Sequence, residues 1–282
     1  MAYTTLVDTD TLGSKLQDPR WIIFDCRFVL TDVEAGRRAY SEGHVPGARY
    51  AHLDEDLSSP ITPESGRHPL PDAVVLVHKL GRWGVDSTKQ VVVYDDSAGA
   101  IAARLWWLLR WLGHYDVAVL DGGFPKWERE QRPVTKETPK TTPTVYRGRP
   151  NDDLWVGTRF VEDVITHGER LLIDVRSPER FRGEVEPLDK IAGHIPGAVN
   201  YPLEKNLGPD GCFLDAAQLR DQFRGQLNHM KPDRVITSCG SGVTACHSIL
   251  AMEHAGLSAA KLYVGSWSEW IRDNRRPIAT GA

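Results

Sequence analysis

The 282-residue chain holds no apolar run close to the roughly 20 residues that a membrane helix needs, so no membrane partner is expected. Charge of one sign is also missing: 34 Lys plus Arg stand against 38 Asp plus Glu, a formal net charge of −4. Such a balance provides no polycationic surface for nucleic acid. Cysteine is scarce, and the four present (Cys26, Cys212, Cys239, Cys246) form neither a disulfide scaffold nor a CxxC pair. That usage points to a reducing, cytoplasmic compartment. The ten histidines build no HxxxH-like ligand set with acidic residues, so no metal is expected. The opening "MAYTTLVDTD" lacks a basic stretch followed by an apolar one, and no secretory signal is expected.

What is present is one module written twice. "WIIFDCR", "EGHVPGARY", "VVVYDDSAGAIAARLWWLLRWLG" and "LDGGFPKWERE" recur in the same order as "LLIDVRSPERFRGE", "AGHIPGAVNYP", "RVITSCGSGVTACHSILAMEHAG" and "YVGSWSEWIRD". His44 answers to His194, while Gly99, Gly113, Gly122 and Trp127 answer to Gly242, Gly256, Gly265 and Trp270 at a constant offset of 143. Between the copies lies a Pro- and Thr-rich, apolar-poor stretch that reads as a linker. The expected division is a first domain over residues 1–135, a linker over 136–150 and a second domain over 151–282.

Each copy alternates short β-branched runs with helical runs, which predicts an α/β fold with a mainly parallel sheet flanked by helices. "IAARLWWLLRWLG" and "ACHSILAMEHAG" read as helices ending at Gly113 and Gly256. The tryptophans Trp106, Trp107 and Trp111 of the first read as packing residues. In such sheets reactive groups sit where a strand's carboxyl end feeds a helix. Cys239 falls at that place.

A thiolate, not a thiol, is the nucleophile, and a free thiol titrates near 8.5, so a reactive cysteine needs help to ionise. Here the help is expected mostly from the backbone. Gly240 and Gly242 let the chain curl so that N–H groups form a nest, and a helix starting around Thr244 or Ala245 adds its positive end. Ser241 and Thr244 are the polar side chains of the loop, and Val243 lies between them. Cys26, Cys212 and Cys246 read as packing or spare thiols. His44 and His194 read as turn-fixing residues, and Asp25 and Asp174 as strand ends bonded to loop backbone.

The stretch "CGSGVTA", Cys239 to Ala245, resembles the active loop of the 3-mercaptopyruvate sulfurtransferases within the two-domain rhodanese family. "GHIPGAVNYP", "VGSWSEW", "LDGGFPKW" and the tandem repeat resemble the same family, over nearly the whole chain. The resemblance implies two rhodanese-like modules of which the second is catalytic. Asp96 stands where Cys239 stands in the later copy, and a carboxylate cannot accept sulfur, so the first module is expected to wall the cleft. The implied reaction is a double displacement. Cys239 takes sulfur from a small-molecule donor, becomes a persulfide, and passes the outer sulfur to cyanide or to a thiol such as that of a thioredoxin-like protein. No cofactor is implied. The resemblance gives Arg180, in "ERFRGE", the donor carboxylate. It places Leu188 where a second family arginine is usual, which weakens the preference for mercaptopyruvate, and it maps an Asp–His–Ser relay onto Asp54, His68 and Ser241. Gly240, Gly242, Val243 and Thr244 fall in the donor-binding loop.

Three other readings compete. A thiosulfate:cyanide sulfurtransferase would carry cations in the loop, where Gly240 and Ser241 are neutral. A phosphatase of related fold would need C-x5-R, but Ala245 stands six residues after Cys239. A non-catalytic sulfur carrier would need no donor pocket.

Overall fold

Strand β4 (Gln90–Tyr94, "QVVVY") is buried along its whole length, and its mid-sheet position explains why its sequence does not alternate. The computed structural model, which describes residues 2–227 and 229–282, divides the chain into two units. Unit 1 comprises Met1–Ser59, Leu70–Asn151 and Pro209–Phe213; unit 2 comprises Pro60–Pro69, Asp152–Gly208 and Leu214–Ala282. The ten-residue segment Pro60–Pro69, early in the sequence, is thus part of the later unit.

In unit 1 the sheet runs β1-β5-β4-β2-β3, with β1 Leu6–Val7, β2 Trp21–Asp25, β3 Ala48–Tyr50 and β5 Val117–Leu120. Every pairing is parallel. The helices are α1 (Thr9–Lys15), α2 (Ala35–Glu42), α3 (Leu53–Asp56), α4 (Ala73–Arg82), α5 (Ala102–Trp111) and α6 (Gly123–Arg129). Local chemistry starts them: Asp8 and Asp72 accept the N–H of Thr11 and Val75, capping α1 and α4. Helix α5 is apolar nearly all round, and Trp106, Trp107 and Trp111 are all buried. Residues 136–151 form no helix or strand, yet Thr144 N–H donates to Gly81 O and Tyr146 is buried, so this stretch lies against unit 1.

Unit 2 repeats the order as β6-β10-β9-β7-β8, again all parallel, with β6 Trp155–Val156, β7 Leu171–Asp174, β8 Val199–Asn200, β9 Val235–Ser238 and β10 Lys261–Tyr263. Its helices are α7 (Thr158–His167), α8 (Pro178–Arg182), α9 (Ala216–Leu227), α10 (Ala245–His254) and α11 (Ser266–Trp270). The offset in sequence is an equivalence in space. Trp127 and Trp270 are fully buried, and their indole N–H groups donate to Pro133 O and Pro277 O at 2.8 and 2.9 Å. Burying such a side chain contributes about 1.5–3 kcal/mol. His44 stacks on Tyr40, and His194 stacks on Phe181. Each imidazole Nδ1 lies 2.7 Å from a helix carbonyl, which fits their reading as turn-fixing residues.

Candidate active site

Strand β9 is the middle strand of its sheet. The chain leaves β7 toward one edge of that sheet and leaves β9 toward the other, so their carboxyl ends form the switch point at which parallel sheets place their sites. Three loops meet there: 239–244 after β9, 175–177 after β7, and 264–265 after β10.

Cys239 opens the first loop. Its Sγ accepts the N–H of Gly242 at 3.1 Å. Gly242 has φ +76°, and a Cβ there would lie 2.4 Å from Val264 O, so this position requires glycine. Gly240 is glycine for another reason. Its φ lies outside the left-handed region, but a methyl group on it would lie 2.8 Å from Arg67 Nη2 and 3.6 Å from Arg180 Nη2. The loop is tied down by the start of α11: Cys239 N–H donates to Ser266 Oγ at 3.0 Å, while Trp267 N–H and Ser268 N–H donate to Cys239 O and Gly240 O. Ser266 itself holds φ +49°, unusual for a residue with a side chain, and its Oγ also donates to Tyr263 O. Helix α10 begins at Ala245, and Val243 and Thr244 lead into it. Cys239 is 2% exposed and Ser241 5%, so the thiol is enclosed by polar contacts rather than open to bulk water.

His68, in the segment Pro60–Pro69 of the same unit, brings Nδ1 to 2.7 Å from Ser241 Oγ. Asp54, the third member of the expected relay, belongs to unit 1, where it sits on α3 and donates its N–H to His52 Nδ1.

The loop after β7 supplies an ordered chain of charges. Asp174 pairs with Arg176 at 2.7 Å, and Arg176 also reaches Gly193 O at 2.7 Å and Glu186 at 3.3 Å. Burial works against the Arg176 cation, but Asp174 and Glu186 outweigh it and hold the guanidinium above its usual range. Glu186 binds Arg180 at 2.7 Å and accepts the N–H groups of Leu188 and Asp189. Burial raises its carboxyl, but these partners together bring it below the usual carboxylate range. Asp189 closes the series, with Oδ2 at 3.4 Å from Arg180 Nη2 and Oδ1 paired with Arg67. Sequence reading found Arg180 but missed Arg67, Glu186, Asp189 and Ser266. Arg67 lies far from Cys239 in the chain, with no spacing to mark it.

The equivalent loop of unit 1 is closed by its own carboxylate. Asp95 accepts four backbone N–H groups, from Ser97, Gly99, Ile101 and Ala102, at 2.7–2.9 Å. Asp96, at the position of Cys239, points to an exposed surface. As to metals, among the described residues Glu34, His52 and Glu55 bring ligand atoms within 4.8 Å of one another. His52 has no lone pair to offer, since Nδ1 accepts the Asp54 and Glu55 N–H groups and Nε2 lies 3.0 Å from Val33 O. Among the described residues no helix is long and apolar enough to cross a membrane.

A cysteine-bearing strand–loop–helix turn on a duplicated parallel sheet narrows the class, and similarity to known proteins agrees. The rhodanese-like domain matches residues 8–130 and 160–273, and the chain belongs to that family. It is 44% identical to a probable 3-mercaptopyruvate sulfurtransferase of Pseudomonas aeruginosa over the full length of both chains. It is 33% identical to a thiosulfate sulfurtransferase of Rattus norvegicus, covering 96% of this chain and 93% of that one. The 3-mercaptopyruvate sulfurtransferase from Leishmania major superposes with a TM-score of 0.85 at 30% identity, over 98% of this chain and 76% of that one.

Proposed function

We propose that this chain is a sulfurtransferase that draws sulfur from 3-mercaptopyruvate onto Cys239 and passes it to a thiol, such as that of a thioredoxin-like protein, or to cyanide. The observation that carries the reading is the Cys239 sulfur receiving the Gly242 N–H in a loop flanked by Arg180 and Arg67. The Cys239 thiolate attacks the donor sulfur; an S–S bond forms and the donor's C–S bond breaks, releasing the enolate of pyruvate. The proton of the transferred S–H ends on the enolate carbon, and the His68–Ser241 pair is placed to move it. The acceptor thiolate then attacks the outer sulfur and restores Cys239. Gly240, Val243 and Thr244 line the loop that receives the donor. Four free cysteines support a reducing, cytoplasmic location.

Thiosulfate is the competing donor, because Arg67 supplies a cation that the loop itself lacks. The charges disfavour it. The three arginines nearest the loop, Arg67, Arg176 and Arg180, are each already paired with Asp174, Glu186 or Asp189, so a single carboxylate exchanging for Asp189 fits them better than a dianion. The deciding experiment is intact mass after incubation with each donor. The expected result is a gain of one sulfur on Cys239 with 3-mercaptopyruvate, a smaller gain with thiosulfate, and none in Cys239→Ser. No gain with 3-mercaptopyruvate would end the reading.

A further inference from the structure

Resting on that reading, we propose that Arg67 and Arg180 form one anion-binding pair beside the thiol loop, and that Asp189 is the chain's own carboxylate, seated on the pair until the donor carboxylate displaces it. The space over Gly240, which carries no side chain, brings the two guanidiniums together. Arg67 is fixed at its backbone by its N–H bond to Ser268 Oγ at 3.0 Å. Arg180 is fixed by two bonds to Glu186, at 2.7 and 3.2 Å. Leu188, where the resemblance leads one to expect a second arginine, brings no cation; Arg67 brings one from a distant part of the sequence.

Asp189 spans this pair with one oxygen toward each arginine, the geometry a donor carboxylate would adopt. Glu186 differs in kind. It is anchored by Arg176 and by two backbone N–H groups as well as by Arg180, so it orients the pair rather than competing for it. Asp189 stands within residues 183–193, which form no helix or strand, and its N–H is held by Glu186 Oε1 at 3.2 Å, so the displacement is a swing of its side chain about an anchored backbone. Beside it opens a cavity of about 410 Å³, lined among others by Arg67, Asp189, Lys190, Ser268 and Arg272. Three cations against one carboxylate on that wall favour entry of an anion, and the volume suits a small ligand. The occupant is a small monocarboxylate such as a 2-oxo acid. A site filled by an internal carboxylate part of the time shows weakened apparent affinity, by the fraction of time it is vacant.

The test is calorimetric binding of pyruvate, and separately of inorganic thiosulfate, to the full chain carrying Cys239→Ala, in which no turnover occurs. Adding Asp189→Asn is expected to tighten pyruvate binding about tenfold, or about 1.4 kcal/mol. Adding Arg67→Gln is expected to weaken it by a similar factor, and Asp189→Asn to give a smaller gain in the Arg67→Gln background, because the two residues are paired. Asp189→Ser serves as a second variant if the asparagine form unfolds early in a thermal melt. Pyruvate binding that is unchanged, weaker or undetectable when Asp189 is neutralised would overturn the proposal, and so would indifference to Arg67→Gln. Tighter binding of thiosulfate than of pyruvate in Asp189→Asn would overturn the monocarboxylate assignment. These outcomes are separate from the donor reading, which stands or falls on sulfur gained at Cys239.

Discussion

His68 Nδ1 lies 2.7 Å from Ser241 Oγ, joining residues 173 positions apart in the chain. Both side chains are buried, so the pair works out of reach of bulk water. If it carries the proton released during sulfur transfer, His68→Asn lowers kcat by roughly a hundredfold. Ser241→Ala lowers it less, and the double variant is no slower than His68→Asn alone, because linked residues are not additive. Steady-state rates of the four proteins check this. Effects that multiply would show two independent roles.

The two loop glycines separate stability from activity. Gly242→Ala meets both a left-handed φ and a 2.4 Å approach to Val264 O, and is expected to destabilise the chain by roughly 1–3 kcal/mol. Gly240→Ala meets the far end of the flexible Arg67 side chain at 2.8 Å, and its stability stays within about 1 kcal/mol of the parent. Its donor KM rises instead, since the guanidinium is pushed aside. Denaturant melts and donor titrations distinguish the two.

Acid exposes the Glu186 contribution. Its folded carboxyl titrates below the usual range, with burial opposing the shift and Arg180 driving it. The ionised form therefore stabilises the fold above the unfolded-state value, near 4.3. That stabilisation disappears as pH falls through the lower, folded value. Glu186→Gln lowers Tm at pH 7 by roughly 2–4 °C per kcal/mol lost. The gap from the parent closes as the medium is taken below pH 4. A gap that stays constant with pH would mean that the charge of Glu186 is irrelevant.

Thiol labelling tests whether contacts or exposure govern reactivity. Cys212 is 8% exposed and Cys239 2%. Burial, with the charge of Asp121 adding to it, pushes the Cys212 thiol up to about 11. At pH 8 only about one in a thousand of its molecules is then ionised. Burial, with the charge of Asp25 adding to it, pushes the Cys26 thiol up as well. Iodoacetamide at pH 8 is expected to mark Cys239 first despite its smaller exposure. A peptide map with Cys212 ahead would count against the Gly242 hydrogen bond as the activating contact.

The repeat was legible because equal backbones need equal punctuation: Gly99 and Gly242, or Trp127 and Trp270, recur where turn and core geometry recur. The Cys239 loop was legible because a strand, a glycine turn and a helix succeed one another locally. What escaped is what chain crossing creates. Arg67 reaches Gly240 only because Pro60–Pro69 folds into the later unit, and Asp189 meets both arginines through a stretch with no periodicity. Ser266 left a faint trace, since the aligned residue in the first copy is Gly123, also at positive φ. A side chain retained at a glycine position marks a hydrogen bond worth the strain, here the one from Cys239 N–H.

The carboxylate of Asp95 has a wider consequence. Its four amide bonds make the earlier loop self-quenched: the anion that such a loop is shaped to receive is already covalently part of it. A cysteine grafted at residue 96 would inherit an occupied cradle, so reviving chemistry in the older-numbered copy takes removal of a resident charge as well as insertion of a sulfur. Duplication here has left two loops of one shape, one carrying a thiol and its twin filled by its own carboxylate.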